Sequence, residues 1–325
     1  MVHAIRIQTP GGPEVLEWAE VEVGAPGPGE VRLRQTAVGL NYIDVYHRTG
    51  LYPVGDPPFT PGLEAAGEVV AVGDGVTDLA VGDRVAYAST PLGAYAEERL
   101  FPANRAVKVP ASVDDRTAAA MMLQGMTAEY LLRRTYPVQP GDTILFHAAA
   151  GGVGLIACQW AKQLGATVIG TVGSPEKAAL ARANGCDHPI LYRDENLVDR
   201  VREITGGAGV PVVYDSVGQD TYMQSLDCLR PRGMLVMFGQ SSGPVPPFEL
   251  GLLAAKGSLY ITRPSLITYN ADDADQRDSA AALFDVVGSG AVKISVNQTY
   301  PLKDAATAHA DLEARKTTGS TVLLP

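Results

Sequence analysis

The chain has 325 residues, of which 46% are hydrophobic and 19% are charged, and its formal net charge is −10. This composition is that of a folded globular protein with about two domains, and it excludes a disordered chain. The acidic balance, without any cluster of positive charge, argues against general binding to nucleic acid or to anionic membranes.

The cysteines and the apolar stretches indicate the compartment. Cys158, Cys186 and Cys228 are odd in number and widely spaced, so they predict neither a disulfide framework nor a metal cluster. A reducing cytoplasm is the compartment that we expect. The longest apolar stretch, 143–161, is interrupted by His147 and three glycines. We therefore interpret it as a strand, a turn and a helix, and expect no membrane span.

The first 110 or so residues are predicted to be rich in β-structure. Short apolar runs such as 31–33, 65–72 and 83–88 alternate with turns of Gly, Pro and Asp, which is typical of a barrel or a sandwich. A helical run then contains AAAMMLQGMTAEYLL, and Pro137–Gly141 turns the chain.

Strands and helices alternate after this turn. The apolar runs predict strands at 143–148, 166–172, 212–217 and 234–239. The amphipathic segments predict helices at 153–165, 174–185 and about 219–229. This alternation indicates βαβ units that form a doubly wound parallel sheet. A further helix at about 271–288 and a strand in the final TVLLP end the chain.

The segment Ala148–Gly154 lies between a predicted strand and a predicted helix. In a dinucleotide-binding fold, glycines at this point allow a tight turn and let backbone N–H groups approach a pyrophosphate at the helix N-terminus. Gly151 and Gly154 match the G-x-G-x-x-G template, whereas Ala149 stands at its first glycine position. A glycine-rich turn that binds no ligand is the alternative interpretation.

The next predicted strand indicates which dinucleotide is bound. No carboxylate occurs in Gly170–Pro175, where an NAD site usually carries Asp or Glu for the ribose 2′-hydroxyl. A 2′-phosphate would be attracted by Ser174 and Lys177, with Tyr192 as a flanking contact. Ser174 is also a natural helix N-cap, with Pro175 at the first helical position, and the two roles are compatible. The sequence therefore predicts NADPH.

Several segments resemble those of the NADPH-dependent quinone oxidoreductases, the zinc-independent, zeta-crystallin-like branch of the medium-chain dehydrogenase/reductase superfamily. They are AAAGGVG, GLNYIDVYHRTGLYP, PGLEAAGEVVAVGDGV, GDRVAY, VVYDSVG and the ending GSTVLLP. The resemblance implies a β-rich, GroES-like catalytic domain formed by 1–124 and 265–325, with a Rossmann cofactor domain, 125–264, inserted between its two segments. It also implies a homodimer.

Zinc-dependent alcohol dehydrogenases share this architecture, so the zinc ligands can be compared. The zinc-dependent branch holds its catalytic metal with a Cys near the position of Asn41 and with the His of a G-H-E motif. Here the motif reads Gly62-Leu63-Glu64, no cysteine precedes Cys158, and the four-cysteine lobe is missing. The five histidines are scattered. Because zinc needs three or four N, S or O ligands in tight geometry, we predict no metal site.

Without a metal, the hydride chemistry belongs to the cofactor, and the protein supplies position and electrostatics. Neutral hydrogen-bond donors would stabilise the negative charge that builds on a quinone oxygen. The predicted catalytic residues are the candidate donors Asn41, Tyr46, Tyr52 and Gln124. Packing is the alternative role for the two tyrosines. Gln124, where many relatives have lysine, has the alternative role of a buried structural amide.

The resemblance extends the predicted cofactor site to both domains. The predicted NADPH contacts are Asn41, Asp44, Tyr46, Thr127, Gly151, Gly152, Val153, Gly154, Ser174, Lys177, Tyr192, Phe238, Gly239, Ser241, Arg263, Ser265, Leu266 and Arg315. The predicted reaction is NADPH-dependent reduction of a quinone. The alternatives are a reductase of activated alkenes (enals, enones or acrylates) and a crystallin-like or RNA-binding role, against which the net charge and the cofactor motif argue.

Overall fold

The computed structural model describes all residues, 1–325, and divides them into two compact units. The first, called the β unit, consists of 1–126, 270–288 and 294–325. The second, called the α/β unit, consists of 127–269 and 289–293. The limits of 125–264 for an inserted domain stay a prediction, because compactness does not show where one domain was inserted into another.

The N-terminal part of the chain supplies seven strands and two helices. The strands are β1 (Val2–Arg6), β2 (Glu17–Val21), β3 (Glu30–Leu40), β4 (Glu64–Val72), β5 (Arg84–Ala88), β6 (Glu98–Pro102) and β7 (Val107–Lys108). The helices are α1 (Tyr42–Thr49) and α2 (Asp115–Tyr130). A π-helical turn, Leu131–Thr135, follows α2.

The middle of the chain alternates strands with helices. The strands are β8 (Thr143–Phe146), β9 (Thr167–Val172), β10 (His188–Leu191), β11 (Val210–Asp215), β12 (Leu229–Met237) and β13 (Tyr260–Thr262). The helices are α3 (Gly152–Gln163), α4 (Pro175–Ala183), α5 (Leu197–Ile204), α6 (Tyr222–Cys228), α7 (Gly251–Ala255) and α8 (Leu266–Tyr269).

The C-terminal part adds two helices and two strands. They are α9 (Asp273–Gly288), β14 (Val296–Pro301), α10 (Ala305–Glu313) and β15 (Ser320–Leu324). None of the helices in the chain combines the length and the apolar character that a membrane span requires.

One six-stranded sheet forms the centre of the α/β unit, in the order β10-β9-β8-β11-β12-β13. All neighbouring strands are parallel. Every residue of β11 is buried, as expected for a strand in the middle of a covered parallel sheet. Counted from β8, the order is 3-2-1-4-5-6, which is the order of dinucleotide-binding folds. The predicted parallel sheet is confirmed.

A seven-stranded sheet forms most of the β unit. Its strands lie in the order β14-β15-β3-β4-β5-β7, with β6 also paired to β3, and β1 and β2 form a separate antiparallel pair. β15 lies antiparallel to β3, with Val322 opposite Gly39. The C-terminal strand therefore completes a sheet that the N-terminal residues begin, and the predicted β-rich domain with both ends of the chain is confirmed.

Some predicted elements have different limits in the structure. The strand predicted at 143–148 ends at Phe146, because Ala148 has a φ of 55° and leaves the extended region. β12 begins at Leu229, five residues before the predicted start at 234. The residues after Leu229 have the composition of a turn, and Arg232 has a positive φ, but the strand continues through them. Helix α5 is not among the predicted elements; Asn196 caps it.

Candidate active site

The predicted cofactor residues of the α/β unit follow the carboxyl ends of its strands. Gly151 follows β8, Ser174 follows β9, Tyr192 follows β10, Phe238 follows β12 and Arg263 follows β13. Because the strands are parallel, these ends share one edge of the sheet, where open parallel sheets bind their ligands. The fold thus gathers at one edge residues that are up to 112 positions apart in sequence (263 − 151 = 112).

The loop between β8 and α3 has a backbone that requires small residues. A Cβ on Gly154 would overlap the carbonyl oxygen of Ala148 and lie 2.8 Å from the Cα of Ala149. Gly151 is the N-cap of α3, and no side chain caps this helix end. The first N–H groups of α3, including those of Gly152 and Val153, are therefore left for a ligand, and this arrangement suits a phosphate.

A buried polar network lies directly behind this loop. The backbone N–H of Ala148 donates to Thr171 Oγ1 (3.2 Å), which lies 3.1 Å from His147 Nδ1. His147 Nε2 lies 2.9 Å from Ser225 Oγ, whose hydroxyl donates to Asp215 Oδ2 (2.7 Å). Burial lowers the pKa of His147, so the ring is neutral. Because the Ser225 hydroxyl donates its hydrogen bond to Asp215, the Nε2–H group of His147 donates to Ser225 Oγ. The network therefore holds the start of the loop in place.

The end of β9 has the features expected of a 2′-phosphate contact. Ser174 caps α4, and its Oγ accepts a hydrogen bond from the backbone N–H of Lys177 (3.3 Å). The predicted N-cap is confirmed. The hydroxyl of Ser174 also donates to Glu176, which lowers the pKa of that carboxyl. Arg193, whose guanidinium lies 5.9 Å from the centre of the Tyr192 ring, adds a cation that the sequence analysis missed.

The loops after β12 and β13 are held to each other and to the end of β11. Arg263 donates from Nη1 to the carbonyl oxygen of Met237 (2.9 Å). The backbone N–H of Ser241 donates to the carbonyl oxygen of Ser216 (3.1 Å), and a Cβ on Gly239 would lie 2.7 Å from that same oxygen. The remaining predicted contacts of this unit lie in or beside its helices and are Thr127, Ser265 and Leu266.

In the β unit, the carboxamide of Asn41 is held on both sides. Its Nδ2 donates to Glu64 Oε2 (2.6 Å), and its Oδ1 accepts a hydrogen bond from Gln124 Nε2 (3.2 Å). The hydroxyl of Ser320 lies 2.7 Å from Gln124 Oε1. Glu64 Oε1 accepts a hydrogen bond from the backbone N–H of Leu123, so Glu64 connects Asn41 to helix α2. Gln124, predicted as a donor to the quinone, here orients Asn41.

Two buried carboxyl groups flank Asn41. Asp44 accepts the backbone N–H of Asn41 (2.9 Å), and the two residues form a capping box at the start of α1. Burial raises the pKa of Asp44 to about 7 and that of Glu64 to about 8, although hydrogen bonds from Asn41 oppose both shifts. The structure thus places Asp44 inside the β unit as the third residue of α1, where it completes the capping box; its predicted contact with the cofactor stays a prediction.

An aromatic cluster extends from α1 to the loop that follows it. The rings of Tyr46 and Tyr52 have centroids 4.9 Å apart, and those of Tyr42 and Tyr46 are 5.4 Å apart. Tyr46 is 8% exposed, so packing accounts for most of its surface. Arg315 acts on the same cluster, since its charge lowers the pKa of Tyr42 against the effect of burial. Catalytic roles for Tyr46 and Tyr52 stay predictions.

The positions that hold zinc in the zinc-dependent branch do not fit a metal here. Leu63 offers no donor atom, and the Asn41 carboxamide is already bonded to Glu64 and Gln124. Nowhere in residues 1–325 do three His, Cys, Asp or Glu side chains lie close enough together to hold a metal ion.

Comparisons with known proteins agree with this architecture. A family profile described as "Alcohol dehydrogenase GroES-like domain" matches residues 27–111, and one described as "Zinc-binding dehydrogenase" matches residues 152–270. A quinone oxidoreductase from Pseudomonas aeruginosa is 54% identical, and a 2-haloacrylate reductase from a Burkholderia species is 52% identical. The alignments cover all of this chain and at least 99% of each relative.

A solved structure of Escherichia coli quinone oxidoreductase complexed with NADPH is 50% identical and has a TM-score of 0.98. The comparison covers 99% of this chain and 100% of that one. A GroES-like unit combined with a six-stranded parallel sheet of the dinucleotide-binding order defines an oxidoreductase of the medium-chain dehydrogenase/reductase superfamily. Within this superfamily, the chain belongs to the quinone oxidoreductase family.

Proposed function

We propose that this chain reduces quinones with NADPH and without a metal ion. The observation that carries the proposal is the uncapped N-terminus of α3 at the glycine loop. Ser174 and Tyr192 follow the next two strands, and Lys177 lies in the first turn of α4. Bound there, NADPH would supply the hydride. The NADPH complex of the Escherichia coli relative supports the choice of cofactor. The test is the rate of NADPH oxidation by the purified chain when 1,4-benzoquinone is added.

The β unit would contribute neutral donors to this reaction. A quinone that accepts hydride gains negative charge on an oxygen, and a fixed amide or phenol donor stabilises that charge without being ionised itself. The second N–H of the Asn41 carboxamide is suited to this task, because Glu64 and Gln124 hold the group in one orientation. Tyr46 and Tyr52 are the further donors that we propose.

Replacing Lys177 tests the choice of cofactor. Lys177→Ala is expected to weaken NADPH binding by about 1–3 kcal/mol, roughly ten- to a hundredfold, and to leave NADH binding nearly unchanged, since only NADPH carries the 2′-phosphate. The measurement is a titration with each cofactor. Lys162→Ala is the control, because Lys162 pairs with Asp187 at 2.5 Å. Equal dissociation constants of the wild type for the two cofactors would refute the prediction.

Removing the phenol groups separates catalysis from packing. Tyr46→Phe and Tyr52→Phe are expected to lower kcat/KM for the quinone by about 1–3 kcal/mol of transition-state stabilisation, with little change in Tm. Tyr87→Phe is the control, since Tyr87 is a fully buried tyrosine whose hydroxyl donates to Gln35. That variant should lose Tm but keep its kinetics. A loss of Tm without a kinetic effect at Tyr46 and Tyr52 would make them packing residues.

Chelation tests the absence of a metal requirement. Activity is expected to survive a chelator and dialysis. Leu63 has no donor atom for zinc, and the carboxamide of Asn41 is already hydrogen-bonded to Glu64 and Gln124. The measurement combines elemental analysis of the purified protein with the rate before and after chelation. Activity that rises and falls with bound zinc would overturn this part of the proposal.

A second candidate function is the reduction of activated alkenes. The 52% identity to a 2-haloacrylate reductase favours it specifically. Both reactions begin with hydride transfer from the same cofactor, and they differ in whether the accepting atom belongs to a quinone or to an alkene conjugated with a carbonyl group. A comparison of kcat/KM for a quinone and for a 2-haloacrylate distinguishes them.

We further propose that the chain forms a homodimer in the cytoplasm. β13 is the last strand of its sheet and pairs only with β12, so its other edge is open, and Tyr260 on this strand is 59% exposed. An open edge of this kind is able to pair with a second copy. The three cysteines are free and buried, which supports a reducing compartment.

A further inference from the structure

The loop between β8 and α3 is connected to the interior of the α/β unit by four polar side chains in series. They are Thr171 on β9, His147 just before the loop, Ser225 on α6 and Asp215 at the end of β11, here called the loop network. Each of the four is at most 3% exposed, whereas Ala148, the loop residue that they reach, is exposed. The network therefore joins the surface of the loop to the centre of the sheet.

The hydrogen bonds of the loop network all run in one direction. The Ala148 N–H donates to Thr171 Oγ1 (3.2 Å), and the Thr171 hydroxyl donates to His147 Nδ1 (3.1 Å). His147 is neutral because burial lowers its pKa, and its Nε2–H donates to Ser225 Oγ (2.9 Å). The Ser225 hydroxyl donates in turn to Asp215 Oδ2 (2.7 Å). The direction is set at Asp215, because a carboxylate only accepts.

Asp215 is the fixed end of the network. Its Oδ1 accepts the backbone N–H groups of Val217 (2.8 Å) and Gly218 (3.1 Å). The hydroxyl of Thr221 lies 2.7 Å from Oδ2. Because backbone N–H groups can only donate, these contacts hold the carboxylate in one orientation, with Oδ2 towards Ser225.

The other end of the network lies at a residue with an unusual backbone. Ala148 has a φ of 55°, in the left-handed region that residues other than glycine rarely adopt. Its carbonyl oxygen accepts the N–H of Gly151 (2.9 Å) and is the atom that a Cβ on Gly154 would overlap. The conformation of Ala148 therefore decides where the first N–H groups of α3 point. A strained conformation persists only where its surroundings hold it, and the hydrogen bond to Thr171 does so.

We propose that the four side chains of the loop network are positioning residues of the NADPH site, which hold Ala148 in the conformation that aims the N–H groups of α3 at the pyrophosphate. The inference rests on the cofactor placement in the proposed function and is independent of the acceptor that the cofactor reduces. Its support is the unbroken series of hydrogen bonds from Ala148 to Asp215 and the left-handed backbone at the exposed end of that series.

A polar cluster that only stabilises the α/β unit predicts a different result. Its loss would lower Tm and weaken the binding of every ligand of this unit to a similar extent. Positioning of the loop predicts weaker binding only for ligands that carry the pyrophosphate. Adenosine 2′-phosphate distinguishes the two roles, because it has the phosphate expected at Ser174 and Lys177 but no pyrophosphate.

The first test is the binding of NADPH and of adenosine 2′-phosphate to Thr171→Val. This variant loses the hydroxyl but keeps the shape of the side chain and the backbone bond from the N–H of Ala149 to the carbonyl oxygen of Thr171 (3.0 Å). NADPH is expected to bind about tenfold more weakly, because one hydrogen bond is lost and His147 Nδ1 is left without a donor. Adenosine 2′-phosphate should bind as to the wild type, and Thr171→Ser should restore NADPH affinity. Equal losses for both ligands, or wild-type NADPH affinity in Thr171→Val, would overturn the inference.

Thr205→Val is the matched control. The Thr205 hydroxyl also accepts a backbone N–H, that of Gly209 (3.0 Å), but Gly209 directly precedes β11 and so lies at the opposite edge of the sheet. This control should have a lower Tm and keep both affinities. If it lost as much NADPH affinity as Thr171→Val, general destabilisation would explain both variants and the inference would be wrong.

Ser225→Ala tests whether the four side chains act as one unit. Ser225 lies on α6, outside the loop, and its hydroxyl joins His147 to Asp215. NADPH should again bind about tenfold more weakly, and the double variant with Thr171→Val should bind it no more weakly than the weaker single variant. Ser225→Ala alone decides the question if Thr171→Val does not fold. Wild-type affinity in Ser225→Ala, or additive losses in the double variant, would contradict the network.

The direction of the hydrogen bonds has a spectroscopic readout that needs neither cofactor nor turnover. Nitrogen NMR spectra of histidine-labelled protein should show His147 as the neutral Nε2–H tautomer, with His147→Gln to assign the signal. Asp215→Asn places an amide N–H against Ser225, so the series should reverse and His147 should change to the Nδ1–H tautomer. An Nδ1–H tautomer in the wild type, or an unchanged tautomer in Asp215→Asn, would overturn the inference. A chain that passes these tests but does not reduce quinones would refute the proposed reaction and leave the inference in place.

Discussion

Gly154→Ala is expected to weaken NADPH binding at least about a hundredfold, which corresponds to about 2.7 kcal/mol. The added Cβ would overlap the carbonyl oxygen of Ala148 and lie 2.8 Å from the Cα and the carbonyl carbon of Ala149. These are backbone atoms, so no side chain can rotate away, and either the loop or the start of α3 must move. Both changes displace the N–H groups that we propose as the phosphate site.

The measurement for this variant is the dissociation constant for NADPH, together with circular dichroism to confirm the fold. Gly251→Ala is the matched control, since Gly251 also begins a helix of the α/β unit but has no atom within 4 Å of an added Cβ. That control should bind NADPH like the wild type. Wild-type affinity in Gly154→Ala would contradict the placement of the cofactor at this loop.

Asn41→Asp is expected to lower kcat for the quinone at least about a hundredfold at neutral pH. The reason is that the variant loses a hydrogen-bond donor to the oxygen on which negative charge develops. The substitution replaces the amide that donates to Glu64 Oε2 (2.6 Å) by an acceptor. Two carboxyl groups then face each other in the interior, with the Asp44 carboxyl beside them. Because such a pair is stable only when it shares a proton, its pKa rises.

The sign of the pH effect distinguishes this account from simple unfolding. Asn41→Asp should recover part of its stability as the pH falls, because the protonated pair again contains a donor. Tm and kcat across the pH range are the measurements, and Asn297→Asp, on β14, is the control for added charge. An Asn41→Asp variant with wild-type kcat at neutral pH would show that the Asn41 amide is not a donor in the reaction.

The fold could be predicted from the sequence largely because the α/β unit repeats one pattern. Buried runs such as 166–172 are long and apolar, and Gly165 and Gly185 end the helices next to them. β12 was harder to predict, since Arg230, Pro231 and Arg232 have the composition of a turn and yet lie in the strand. Leu229 pairs with Val210 and Met234 with Val212, so these intervening residues form an irregularity between two paired positions, which local sequence does not report.

The candidate site could be predicted where it depends on local backbone, and less well where it depends on distant side chains. The roles of Gly154, a glycine in the first turn of a helix, and of Ser174, an N-cap, can be recognised from the residues next to them in the sequence. The contact of Arg193 with Tyr192, and that of Gln124 with Asn41, join residues through the fold. The contact of Arg48 with His309 is of the same kind, since it joins α1 to α10 across 261 residues.

The acceptor specificity of the wild type decides whether the chain is a quinone reductase. NADPH oxidation is measured with 1,4-benzoquinone, an enal and a 2-haloacrylate, side by side and in the presence of a chelator, and kcat/KM is compared. We expect the quinone to be the preferred acceptor and chelation to leave its rate unchanged. No quinone reduction, together with rapid reduction of the enal or the haloacrylate, would refute the proposed function and assign the chain to the alkene reductases.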